Sequence, residues 1–232
     1  MHPIKKQARI AGLLYLTLLG APLRLLYIPS KLIVSGNPTA TAANIAAHET
    51  LFRFGIVAEL FTGIMAIFLT LALYRLFKEV NQWLSVVMVI LGSLMVTPIY
   101  FVNTTTDAAA LLFARGPDFL SVFDKPQRDA LAYLFLRLHD HGVVANQIFW
   151  GLWLVPFGLL VYKSRFFPRV LGAWLIVNAL AYVVISATGL LAPRYEAMVF
   201  NFAFPALVGE LAIMLWLLIR GANPQPSAAP AS

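Results

Sequence analysis

Residues 54–77 read FGIVAELFTGIMAIFLTLALYRLF and, six positions later, residues 84–102 read LSVVMVILGSLMVTPIYFV. A helix needs about 20 predominantly apolar residues to cross the hydrocarbon core of a bilayer. Each stretch meets that length, and the short link between them carries Lys78 and Glu79. Together they read as a hairpin of two transmembrane helices. Working outward, apolar runs of the same kind occupy residues 10–28, 142–162, 170–191 and 199–219. The chain is therefore expected to be an all-α integral membrane protein, a six-transmembrane-helix bundle forming a single polytopic membrane domain over residues 1–220.

Composition agrees with that reading. Of 232 residues, 60% are hydrophobic and 12% charged, against roughly 45–50% apolar and 25% charged in a soluble domain. The net charge of +7 does not point to nucleic acid, because the 17 Lys and Arg residues stand in ones to threes at the ends of apolar runs. Such charges orient spans. Lys5, Lys6, Arg9, Arg75, Lys78, Lys163, Arg165, Arg169 and Arg220 fall on short segments of one side. Lys31, Arg53, Arg115, Lys125, Arg128, Arg137 and Arg194 fall on longer segments of the other. The denser side is expected to be cytoplasmic, with both chain termini there. The absence of cysteine excludes disulfides, thiolate metal sites, iron–sulfur clusters and a cysteine nucleophile.

Residues 2–9 followed by the apolar run 10–23 have the proportions of a secretory signal. No A-x-A-like cleavage site follows, and Arg24 is succeeded by further apolar residues, so the segment reads as a retained span. On the outer side, residues 38–52 are expected to form a helix capped by Thr39 or Thr41 and running directly into the second span. Residues 103–141 form an Ala- and Leu-rich stretch that meets Gly116 and Pro117, then restart near Lys125 as a helix entering the fourth span. Both segments read as interfacial helices lidding the outer face. Residues 221–232, rich in Pro, Ala and Ser, read as a disordered tail.

Two stretches carry a family resemblance. YIPSKLIVSGNPTATAANIAAHETLFRFGIVAEL, residues 27–60, and LFLRLHDHG, residues 134–142, resemble the bacterial integral-membrane family called domain of unknown function 4386, over nearly the whole chain except the tail. The resemblance implies a multi-pass helical protein of the bacterial cytoplasmic (inner) membrane and supplies no catalytic residue. The resembled pattern often has a Tyr where this chain has His141, which disfavours any site requiring both histidines.

Ionisable residues inside spans are costly and demand a partner or a role. Arg24, near the outer end of the first span, and Glu59, near the outer start of the second, share a depth and are expected to pair. Glu210 and Asn178 lie near mid-membrane at similar depth and are expected to hydrogen-bond, with Glu210 protonated because desolvation favours the neutral carboxyl; the alternative is a proton-relay or ligand-binding carboxylate. On a continuous helix His139 and His141 lie about 200° apart, so they cannot close on one ion. His139 shares its face with Asn146, Trp150 and, at about 80–100°, Gln147 and Asp140; that face is expected inside, with Arg137 and His141 toward the headgroups. His48, Phe52, Gly55 and Glu59 fall on one stripe of the second helix. His48 and His139 with Glu59 or Asp140 form a chemically sensible zinc set, and the same two histidines a possible haem pair, but no spacing signature supports either. Gly55, Gly63 and Ala66 read as close-packing positions.

The resulting expectation is a non-enzymatic protein that binds or transports a small amphiphile or ion in an outward-facing polar pocket lined by Arg24, Glu59, His139, Asp140, Asn146 and Gln147. It calls for no cofactor, and for the lipid bilayer as partner. The competing readings are a membrane-embedded metal-dependent hydrolase and a regulatory or interaction subunit.

Overall fold

The computed structural model describes residues 2–18, 21 and 23–223, and every regular element among them is helical. In chain order these are α1 (Pro3–Thr17), a π-helical turn (Leu23–Tyr27), α2 (Ile28–Leu32), α3 (Pro38–Ala47), α4 (Glu49–Phe77) and α5 (Gln82–Val89). A second π-helical turn (Ile90–Leu94) leads into α6 (Val96–Arg115), followed by α7 (Lys125–Ser164), α8 (Arg169–Leu191) and α9 (Glu196–Ile219).

Five stretches are long and apolar enough to cross a membrane: Glu49–Phe77, Gln82–Arg115, Lys125–Ser164, Arg169–Leu191 and Pro193–Ile219. They match five of the six expected spans. The remaining one, residues 10–28, is helical on both flanks, but residues 19, 20 and 22 lie outside the described residues, as does 224–232 of the expected disordered tail.

The third span runs much further than hydropathy indicated, and the helix expected to restart near Lys125 does run on into the fourth. Gln82–Arg115 has 34 residues and Lys125–Ser164 has 40, about 50 and 60 Å of helix, against a hydrocarbon core of about 30 Å. The polar run after Val102 does not end the helix because its threonines satisfy themselves. Thr104, Thr105 and Thr106 donate to the carbonyls of Phe101, Val102 and Asn103 at 2.7–2.8 Å, and so expose few free polar groups to their surroundings. Helix α6 stops only at Gly116, whose φ of 61° places it in the left-handed region open to glycine. Helix α7 starts with a reciprocal capping box between Asp124 and Gln127.

The cap of α3 differs from expectation. Asn37 accepts the Ala40 N–H at 3.0 Å, whereas Thr41 exchanges hydrogen bonds with the backbone of Val34. Nor does α3 continue into the second span, since His48, at φ −119° and ψ 39°, breaks the helix between α3 and α4.

Small residues set the closest helix contacts. A Cβ on Gly158 would lie 2.8 Å from the Gly172 carbonyl oxygen, and one on Gly151 2.5 Å from that of Ala179. Helices α7 and α8 therefore meet nearly backbone to backbone, as membrane helices do where dispersion replaces the hydrophobic effect. Gly12 does the same for α1 against Leu217 and Leu218 of α9. Two apolar cores result. One joins Tyr15, Leu73, Phe77, Met88, Phe157, Leu175 and Leu217 among others. The second, smaller core holds Ile28, Leu32, Ile45, Phe52, Ala110, Leu111 and Leu136. Arg24, Glu59, Asp107 and His139 each fall, along their own chain segment, between residues of these two cores.

Candidate functional site

Arg24 sits in the first π-helical turn, a local widening that frequently marks functional positions. Gly55 makes room for it, since a Cβ there would come within 3.2 Å of Arg24 Cδ and 2.2 Å of Ile28 Cδ1. The guanidinium donates to both carboxylate oxygens of Asp107, from Nε to Oδ2 and from Nη2 to Oδ1. It also lies 5.8 Å from the Phe52 ring centroid. The ion pair is thus made with Asp107 of α6, and not with Glu59 as the shared depth suggested.

Glu59 of α4 and His139 of α7 complete the group. Arg24, Glu59, Asp107 and His139 are 1%, 2%, 0% and 1% exposed. His139 Nδ1 stands 3.3 Å from Asp107 Oδ1, 3.8 Å from Glu59 Oε2 and 3.4 Å from the Asn103 carbonyl oxygen. The Asn103 carboxamide faces Glu59 closely enough to interact with it, but not in the geometry of a well-formed hydrogen bond to either Glu59 oxygen. Gly142 admits Asn103, because a Cβ there would be 2.1 Å from Asn103 Oδ1. Formally the cluster holds one guanidinium and two carboxyl groups, with Arg24 and Asp107 serving each other and Glu59 left over.

Helix α7 is continuous through this region, with His139 buried and His141 exposed. Asp140 points to the rim, where it accepts from Arg137 at 3.1 Å. Asn146 is buried and Gln147 half-buried, and the side-chain oxygen of each lacks a partner among the described residues. His48 stands apart, exposed at the α3–α4 break with its ring bonded to the Asn44 carbonyl.

One turn below Glu59 and Asn103 a cavity of about 300 Å³ opens between the helices. Tyr15, Tyr100, Trp150, Trp153 and Tyr182 supply its aromatic wall, and Glu210 of α9 its carboxylate. Glu210 accepts from Tyr15 Oη at 2.5 Å and from Tyr182 Oη at 3.2 Å. The expected bond to Asn178 is absent, because Asn178 Nδ2 donates to the Leu207 carbonyl at 3.3 Å. The second π-helical turn brings Gly92 to the cavity wall.

Asp107 was not identified from the sequence. It lies beyond Val102 in a segment whose polar run reads as the end of a span. The available signal was its helical spacing: Asn103 and Asp107 fall four apart on one face, leading into the Ala110–Leu111 pair.

This architecture, a set of long apolar helices with a charged cluster and an aromatic cavity held inside, defines a multi-pass helical membrane protein. Within that class, the chain belongs to the family described as domain of unknown function (DUF4386), whose model matches residues 10–221. It is also similar to an uncharacterised protein of Archaeoglobus fulgidus, 24% identical over 172 residues that cover 72% of this chain and 84% of that protein. No solved structure matches the chain.

Proposed function

We propose that this chain is a non-enzymatic membrane protein that binds, and in a full cycle transports, a small amphiphile carrying a positive charge. The observation that carries this reading is Glu210. It is a carboxylate on the wall of an aromatic cavity, held by two phenolic donors and paired with no basic side chain among the described residues. A carboxylate within a span is costly unless something offsets its charge. Aromatic faces attract organic cations, and about 300 Å³ is at the small end of ligand pockets.

The polar cluster contributes to the same selectivity. Arg24 is occupied by Asp107, so the remaining members of the expected pocket, Glu59, Asn146 and Gln147, offer unpaired oxygens. Those groups, with His139 and the rim residue Asp140, favour a ligand end that donates hydrogen bonds or carries positive charge.

The orientation that goes with this reading has six spans in a bacterial cytoplasmic membrane, with both termini inside. In its support, Arg9 donates to the Ile219 carbonyl at 3.0 Å and the Asn223 N–H bonds Phe166 O at 3.1 Å. The two chain ends thereby share one end of the bundle with the Lys- and Arg-rich link between α7 and α8.

Titration calorimetry on the purified chain with benzyltrimethylammonium and its neutral isostere neopentylbenzene tests the proposal. Saturable binding of the cation alone, lost in Glu210→Gln, is the expected outcome. Equal binding of both compounds, or cation binding that survives Glu210→Gln, would overturn it.

A further inference from the structure

We infer that Glu59, Asp107 and His139 form a binding site for one divalent d-block metal ion of the zinc type, bridging α4, α6 and α7. One ligand atom from each lies within 4.8 Å of the others. The inference does not rest on the cavity; with a metal bound, Glu59 and His139 serve as its ligands and the amphiphile's polar contacts fall to Asn146 and Gln147.

The separations are informative in themselves. An N–H···O hydrogen bond spans about 2.7–3.2 Å, and His139 Nδ1 misses that range toward all three neighbouring oxygens, at 3.3, 3.4 and 3.8 Å. Two donors on the same tetrahedral ion, each bonded at about 2.0–2.1 Å, stand about 3.3–3.4 Å apart. The Nδ1 to Asp107 Oδ1 distance of 3.3 Å equals that edge, and the Nδ1 to Glu59 Oε2 distance of 3.8 Å needs only a small closure. One nitrogen facing three oxygens also has more acceptors than a single N–H can serve.

Glu59 is the second, independent observation. It is 2% exposed, turned into the cluster, and neither oxygen has a well-formed hydrogen bond among the described residues, although the Asn103 carboxamide faces it. An acid left this way is either neutral or matched by a cation, and a metal ion is the match that the neighbouring donors offer. Arg24 spends its Nε and Nη2 on Asp107 and makes no hydrogen bond to Glu59. That commitment instead fits Arg24 as the outer contact that orients a ligating carboxylate. One imidazole nitrogen with two carboxylate oxygens suits zinc and its neighbours, whereas calcium and magnesium prefer all-oxygen shells of six or more ligands. Three protein donors would leave a fourth position for water or another ligand.

The test uses the full chain with its affinity tag removed, stripped with chelator, supplied with zinc chloride and desalted before elemental analysis. One zinc retained per chain is expected. Affinity should fall by at least about tenfold in Glu59→Gln and in His139→Ala, since even outer-contact substitutions cost 10–100-fold. The double variant His48→Ala/His141→Ala, which removes the two exposed histidines, should retain the ion. Retention of no zinc, or loss of zinc only in that double variant, would overturn the inference. Should Glu59→Gln fail to fold, zinc-edge X-ray absorption on the wild-type protein decides. A nitrogen/oxygen shell with a single imidazole supports the site, and two or more imidazoles contradict it.

Discussion

Substituting Arg24 and Asp107 separately should give unequal losses, and the inequality follows from Glu59. In the metal-free protein, Arg24→Met removes the sole guanidinium of the cluster and leaves two carboxyl groups, Asp107 and Glu59, buried without a counter-charge. Breaking a buried pair in this way costs about 3–5 kcal/mol. Asp107→Asn removes the other partner, but Arg24 still has Glu59 within electrostatic reach and the Asn oxygen can still accept. Its cost should be that of a weakened hydrogen-bonded contact, about 1–3 kcal/mol. Glu59→Gln should then be mild in the wild-type background and severe in the Asp107→Asn background, where Glu59 has become the counter-ion. Unfolding of the purified variants in mixed micelles, followed by helical circular dichroism against denaturing detergent, measures all four. The reasoning is refuted if Asp107→Asn costs as much as Arg24→Met and the Glu59→Gln effect is the same in both backgrounds.

Three further outcomes are expected in the same assay. Gly142→Ala puts a methyl group 2.1 Å from Asn103 Oδ1 and should destabilise by about 1–3 kcal/mol, the usual range for overpacking. His139→Ala should exceed His141→Ala by about 1–3 kcal/mol, because only the first removes a buried polar partner; equal effects would mean that the α7 faces are misassigned. Gly172→Ala, whose methyl would meet the Gly158 carbonyl oxygen at 2.6 Å, should cost about 1–3 kcal/mol by prising α7 from α8, and a neutral result would contradict that close approach.

Much of the helical plan is legible in the sequence because hydropathy reports the part of each helix that faces lipid. It is silent on helix that continues past the bilayer. Residues 103–115 read as a separate interfacial helix for that reason, whereas the structure runs them on from the third span as one helix whose threonines 104–106 bond to their own backbone. Arg24, Glu59 and His139 stand out in the sequence because each is anomalous in its own surroundings, and helical phase predicts His139 inside, where the structure buries it. Their partners were not legible. Pairing across helices depends on the π-helical widening at Leu23–Tyr27 and on the bulk missing at Gly55, neither of which leaves a periodic mark. Glu210 shows the same limit: the phenols of Tyr15 and Tyr182 reach it from 195 and 28 residues away along the chain.

The central claim, that a cationic amphiphile occupies the cavity beside Glu210, is tested most directly by where a ligand quenches tryptophan fluorescence. Trp150 and Trp153 line the cavity, whereas Trp83, Trp174 and Trp216 do not. A variant with those three changed to Phe therefore reports the cavity alone. With 4-bromobenzyltrimethylammonium as the probe, quenching should saturate in that variant and disappear on adding Glu210→Gln. Quenching that rises linearly with the lipid-partitioned probe, unchanged by Glu210→Gln, would contradict the account.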